Sequence, residues 1–155
     1  MPAPVIEQIA ANVLTTLAGV TTVAGYSVTL APERRKKAGN TPAHLKCVIF
    51  QGAPITDQLT TGAPAGLIYR RTPFVLQVWV IDSEDSSTAI DEKINYVIAD
   101  IEKALMADPH RNALAHDTIL GEPEIFDEGE NGYSGVLIPF EVQHGHLFSD
   151  PTTAR

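Results

Sequence analysis

Val5, Ile6, Ile9, Val13, Leu14 and Leu17 recur three and four residues apart. This spacing predicts a helix from about Pro4 to Ala18 with one apolar face. Tyr26, Val28 and Leu30 alternate with Ser27, Thr29 and Ala31, the period of a half-buried strand over about Tyr26 to Ala31. His44 to Gln51 is apolar on both faces and predicts a strand inside a sheet. Leu67 to Asp82 is the strongest strand signal. Phe74, Leu76, Val78 and Val80 point one way, and Val75, Gln77, Trp79 and Ile81 the other. Pro73 lacks a ladder donor and predicts a bulge or an edge position.

Ser83–Ser87 is a polar helix start, and Ile90, Ile94, Val97, Ile98, Ile101 and Leu105 form one stripe of a helix from about Thr88 to Ala107. His110 to His116 adds a short helical turn. Strands over Thr118 to Asp127 and Tyr133 to Gln143 flank a hairpin loop with Asn131-Gly132 turn chemistry. Glu33 to Pro42 reads as an exposed basic loop, residues 52–66 as a long loop, and Asp150–Arg155 as a frayed tail. The order α-β-β-β-α-β-β predicts an α+β two-layer sandwich. Its mixed, mostly antiparallel sheet has about five strands, with two main helices on one face. One domain over residues 1–150 and a flexible C-terminal tail over 151–155 account for the chain.

Composition narrows the function classes. The 155 residues carry a net charge of −8, which disfavours general nucleic-acid binding. A single Cys47 excludes a disulfide framework. No apolar run approaches a membrane span, and the N-terminus lacks a basic leader. The total hides an asymmetry. Residues 1–80 hold seven bases and three acids, a net of +4, and residues 81–155 hold four bases and sixteen acids, a net of −12. Such a chain can attract copies of itself head to tail.

Catalytic signatures are scarce. The phosphate-cradling glycine motifs and a nucleophile elbow are absent. His144-Gly145-His146 places two imidazoles on one face of a strand, and Glu141 or Asp150 is the available third metal ligand, but two ligands do not close a zinc site. Cys47 in an apolar strand reads as a small hydrophobe. The carboxylates at Asp82, Glu84 and Asp85, and at Glu122, Glu124, Asp127, Glu128 and Glu130, do not fit a calcium loop. No catalytic, cofactor or metal residue is expected. The basic run Arg34, Arg35, Lys36 and Lys37, with Arg70 and Arg71, is the candidate contact surface. It lacks interleaved aromatics, so a protein partner fits it better than stacked bases.

Several segments together resemble phage tail terminator proteins, the lambda-type minor tail protein U and its relatives in long-tailed phages. They are the N-terminal Val5-Ile6-Glu7-Gln8-Ile9, the strand Thr72 to Val80, the helix leading into Ala104-Leu105-Met106-Ala107-Asp108-Pro109, and the closing strand Gly135 to Val142. The likeness runs from about Val5 to Pro151. It implies a structural protein, not an enzyme, that forms a hexameric ring, caps the tail tube, stops its polymerisation and presents the head-joining surface. The implied partners are other copies of the chain, the tail tube protein and the head completion or connector protein, with DNA only passing through the lumen and no membrane. The implied location is the head-proximal end of the tail, after assembly in the host cytoplasm. Three alternatives stand beside it: a head–tail connector or neck protein of the same virion, a small metal- or ligand-binding enzyme domain using the groove near Glu141, His144 and His146, and a toxin- or host-derived interaction module with no phage role.

Overall fold

Helix α1 spans Val5–Ala18 and α2 spans Ile90–Met106 in a computed structural model that describes residues 1–60, 66–81, 88–127 and 133–155. Eight strands form one mixed sheet: β1 Ala31–Arg34, β2 Lys46–Gln51, β3 Ile55–Thr60, β4 Leu67–Ile81, β5 Asp117–Leu120, β6 Glu124–Asp127, β7 Tyr133–Leu147 and β8 Asp150–Ala154. The protein is α+β with both helices packed into one core. The expected five strands and the order α-β-β-β-α-β-β are corrected to eight strands in the order α-β-β-β-β-α-β-β-β-β.

The extra strands arise because flanking strands are interrupted. β4 and β7 pair antiparallel from Leu67↔Leu147 to Ile81↔Tyr133. Each therefore has one flank left for other strands. β3 and β2 share the flank of β4, and β6, β5 and β8 share that of β7. β1 lies outside β2, in parallel. The sheet is five positions wide, in the order β1-β2-β4-β7-β5.

Prolines explain where the flanks break. The Gly52 N–H donates to the Pro73 carbonyl and the Gly121 N–H to the Pro139 carbonyl, each at 2.8 Å. A residue's N and O leave an antiparallel strand on the same side, so each missing proline N–H faces an interrupted flank. Pro73 thus sits inside a central strand, and the irregularity expected there falls on its neighbour. A Cβ on Gly52 would lie 2.8 Å from Pro73 Cγ, and one on Gly121 2.9 Å from Pro139 Cγ. Only glycine fits opposite each ring.

The helices cover one face of the sheet. Val5, Ile9, Val13 and Leu17 of α1 meet Ile94, Val97, Ile101 and Leu105 of α2 over Phe74, Leu76, Val78, Val136, Ile138 and Phe140. The cross-strand pair Phe74 and Phe140 stacks at 5.1 Å between centroids.

Four other segments differ from the sequence expectation. Tyr26 to Leu30 is not a strand, because Asp100 of α2 takes its amides. Asp100 Oδ2 accepts from the Ser27 N–H at 2.7 Å and the Val28 N–H at 2.9 Å. The strand forms one step later, as β1. The loop expected over 52–66 contains β3. The strand expected over Thr118 to Asp127 is divided into β5 and β6 at Gly121–Pro123. Residues Asp150–Ala154, expected as a tail, pair with β7 as β8. The helix start expected at 83–87 and the turn expected at 128–132 lie outside the described residues.

Asp100 is 6% exposed. Asp100→Ala is expected to cost about 1–2 kcal/mol, because two part-buried amides lose a charged acceptor. Asp100→Asn keeps one acceptor and should lose less. Urea unfolding midpoints check both.

Candidate functional site

The basic run is built by the edge strand β1 and the turn that follows it. Arg34 ends β1, where Nη1 donates to Glu7 Oε1 of α1 at 3.0 Å and Nη2 to Gln51 Oε1 at 3.4 Å. Glu33 binds Lys46 at 2.7 Å and Lys36 at 3.1 Å. Lys46, then Asn40, hold the Glu33 carboxyl down at about 2. Asn40 closes the turn, accepting from the Lys36 N–H and donating to the Arg34 carbonyl. The Arg35 guanidinium lies 5.4 Å from the Phe50 ring centroid. Lys37 is exposed and has no ion-pair partner among the described residues. The turn borders a hollow of about 250 Å³ lined by Arg35, Lys36, Lys37, Phe50, Gln77 and Trp79, on the sheet face away from the helices.

Arg70 and Arg71 occupy a different place, on β4 inside the sheet. Arg71 bridges Asp57 at 2.8 Å and Glu141 at 3.1 Å. The Asp57 bond, then the two negative charges, raise its already high pKa. The Arg70 side chain makes no hydrogen bond or ion pair among the described residues, and its Nε is enclosed. The six residues expected at one contact surface are therefore divided between two locations. All three acids of the first half, Glu7, Glu33 and Asp57, are held by cations of that same half. Among the described residues, its cations without an ion-pair partner are Arg35, Lys37 and Arg70.

The opposite edge of the sheet is acidic. Glu122, Glu124 and Asp127 are exposed on and beside β6, at the far side of the sheet from β1. Part of the sequence asymmetry thus reaches the two edges of one sheet, with Arg35 and Lys37 at one and Glu122, Glu124 and Asp127 at the other, while Asp91, Glu92 and Glu102 lie on α2. Between them the sheet face away from the helices carries an apolar hollow of about 280 Å³, whose lining includes Pro73, Val75, Ile119, Leu120 and Pro139.

The histidine pair behaves differently from a metal site. His144 and His146 lie two apart on β7, but no group of three or more metal-ligating side chains occurs among the described residues. His144 is 2% exposed, and its Nε2 lies 2.8 Å from Thr72 Oγ1. Burial, then the positive surroundings of His146, Arg70 and His116, push it down from 6.5 to about 4. Cys47 is buried and its thiol is pushed up to about 12, so it is no nucleophile. The missed feature is the cross-strand pair Arg70↔His144. The His-x-His alternation signals a shared face, but nothing local signals the partner.

His144 gives a pH dependence of known sign. The unfolded imidazole takes up a proton as pH falls below 6.5, and the folded one resists until about 4. Stability is complete above 6.5 and declines across that window. At pH 5 the loss is expected to be about 2 kcal/mol relative to pH 7.5. The depressed carboxyls Glu33 and Asp150, both near 2 folded and at 4.5 and 3.8 ordinarily, lose their contribution only at lower pH. His144→Gln should flatten the profile between pH 7.5 and 5 in denaturant titrations. An unchanged slope would assign the effect elsewhere.

Comparison with protein-family models and with curated proteins gave no match. Among the described residues no helix is long and apolar enough to cross a membrane.

Proposed function

We propose that the chain is a structural virion protein, a phage tail terminator. Copies join as a ring, most simply a hexamer, on the last ring of the tail tube. The ring stops tube growth and offers the head its joining surface. The chain acts at the head-proximal end of the tail after assembly in the host cytoplasm. It catalyses nothing, binds no membrane, and meets DNA only as it passes the lumen.

The observation that carries the reading is the placement of opposite charge on opposite sheet edges. A closed ring needs a heterologous interface, in which one patch of each copy meets a different patch of the next. The β1 edge and its turn offer Arg35 and Lys37, and the β6 edge offers Glu122 and Glu124. The sheet face away from the helices and its apolar hollow supply surface for a tube or neck partner.

The test adds the purified full chain to polymerising tail tube protein. Tubes of arrested length that then accept heads are the expected result. Tubes that lengthen unchanged overturn the reading. Binding to heads without binding to tubes overturns it in favour of a connector.

A further inference from the structure

We propose that the cleft between Arg70, His116 and His144 is a binding site for an oxyanion, a phosphate or carboxylate group. The cleft has a volume of about 290 Å³ and is lined by Asp57, Tyr69, Arg70, His116, Gln143 and His144. It stands independently of the ring reading.

Two enclosed polar atoms of its lining residues have no hydrogen-bond partner among the described residues, Arg70 Nε and His144 Nδ1. An enclosed polar group without a partner costs about 1–3 kcal/mol, so it calls for an occupant. The chemistry of that occupant follows from the two groups. Arg70 offers only donors. His144 Nε2 is engaged by Thr72 Oγ1 at 2.8 Å. An oxyanion would select the neutral tautomer with its proton on Nδ1, in which the Thr72 hydroxyl donates to Nε2 and the Nδ1–H is a second donor. His116 lines the same space, its ring 5.5 Å from that of Tyr69.

Glycine opens the space for this arrangement. A Cβ on Gly145 would lie 3.1 Å from the Tyr69 ring, so the absent side chain leaves room for Tyr69 to reach His116. Asp57, the acidic lining residue, is taken by Arg71 at 2.8 Å. His146 adds to the positive surroundings of His144. Two uncommitted donors, one of them a guanidinium, beside imidazoles suit an oxyanion and repel a metal cation.

The probe is inorganic phosphate, titrated into the isotope-labelled full chain at pH 7 with the histidine ring and Arg70 Nε resonances observed. Glutarate repeats the titration as a carboxylate. Saturable shifts at His144 and Arg70 are expected, with Arg70→Gln weakening phosphate binding about tenfold. His116→Gln, at an exposed residue, is the second variant and should weaken it several-fold. Lys103→Gln, at an exposed cation of α2, should leave it unchanged. A dilution series without added anion separates the sources. Resonances that move with protein concentration and revert with phosphate identify a carboxylate of a second copy. Resonances that respond only to added anion identify a free one. Silence of His144 and Arg70 at millimolar phosphate and glutarate overturns the site, as does equal weakening by Lys103→Gln.

Discussion

Arg111→Ala is expected to lower the unfolding free energy by about 3 kcal/mol. Arg111 is fully buried, at 0% exposure, just beyond the C-terminus of α2. A helix end leaves carbonyls without intrahelical donors. Here the guanidinium supplies them: Nη2 donates to the carbonyls of Leu105 and Asp108, and Nη1 donates to Thr16 Oγ1 of α1 at 3.3 Å. The cation also lies at the negative end of the helix dipole. Burial lowers its pKa, with Asp108 opposing. One side chain therefore caps α2 and ties it to α1. Its removal strands two carbonyls and opens a cavity. Arg111→Met separates these effects by keeping much of the volume, and is expected to lose about 2 kcal/mol through the hydrogen bonds alone. A wild-type midpoint for Arg111→Met in guanidinium unfolding would assign the stability to packing.

The same residue begins a strained turn. Arg111, Asn112 and Ala113 have φ of 48, 57 and 62°. Left-handed backbone costs L-residues about 1–2 kcal/mol each, and three in succession persist only where the surroundings enforce them. The buried guanidinium and the bond from the Asn112 N–H to Asp108 Oδ2 do so here.

That turn illustrates which parts of the molecule the sequence reveals. α1, α2, β4 and β7 are legible because each has a long period of its own, and their apolar positions are the observed core. The turn at Arg111 is not, because a short polar stretch from His110 to His116 carries helical propensity and no mark of its buried anchor. Tyr26 to Ala31 alternates like a strand, but Asp100, seventy residues away, takes two of its amides. β3 is hidden in a Thr- and Gly-containing stretch with no apolar period, and forms because the flank of β4 beside Leu67–Arg71 is open. The candidate contact residues follow the same division. Exposure of Arg35, Lys36 and Lys37 is written in their consecutive charges. The pairing of Arg34 with Glu7, and of Arg71 with Asp57 and Glu141, depends on the tertiary fold. The cleft is least legible, since Arg70 and His144 meet only through the register of the two long strands.

Reversing the acidic edge with Glu122→Lys and Glu124→Lys should abolish self-association and tail joining, with the folded monomer intact. Both side chains are exposed. Their loss removes no buried contact, so the change falls on association alone. Reversing the basic edge with Arg35→Glu and Lys37→Glu should have the same consequence. Arg34 and Lys36 are left untouched because they bind Glu7 and Glu33, and changing them would confuse stability with assembly. The decisive measurement combines the two sets. In a ring built head to tail, an acid-reversed copy alternating with a base-reversed copy has complementarity at both of its interfaces, one native and one reversed, so the mixture should assemble where neither variant does alone. A chain carrying all four changes restores it at both. Sedimentation and tail-joining assays should therefore find each double variant monomeric and inactive, and the quadruple variant assembled. Association of the double variants, or failure of a folded quadruple variant to assemble, would place the interface elsewhere. At the high salt that screens exposed pairs, wild type itself should fall toward the monomer, since a Debye length of about 3 Å at 1 M ionic strength leaves edge charges without reach.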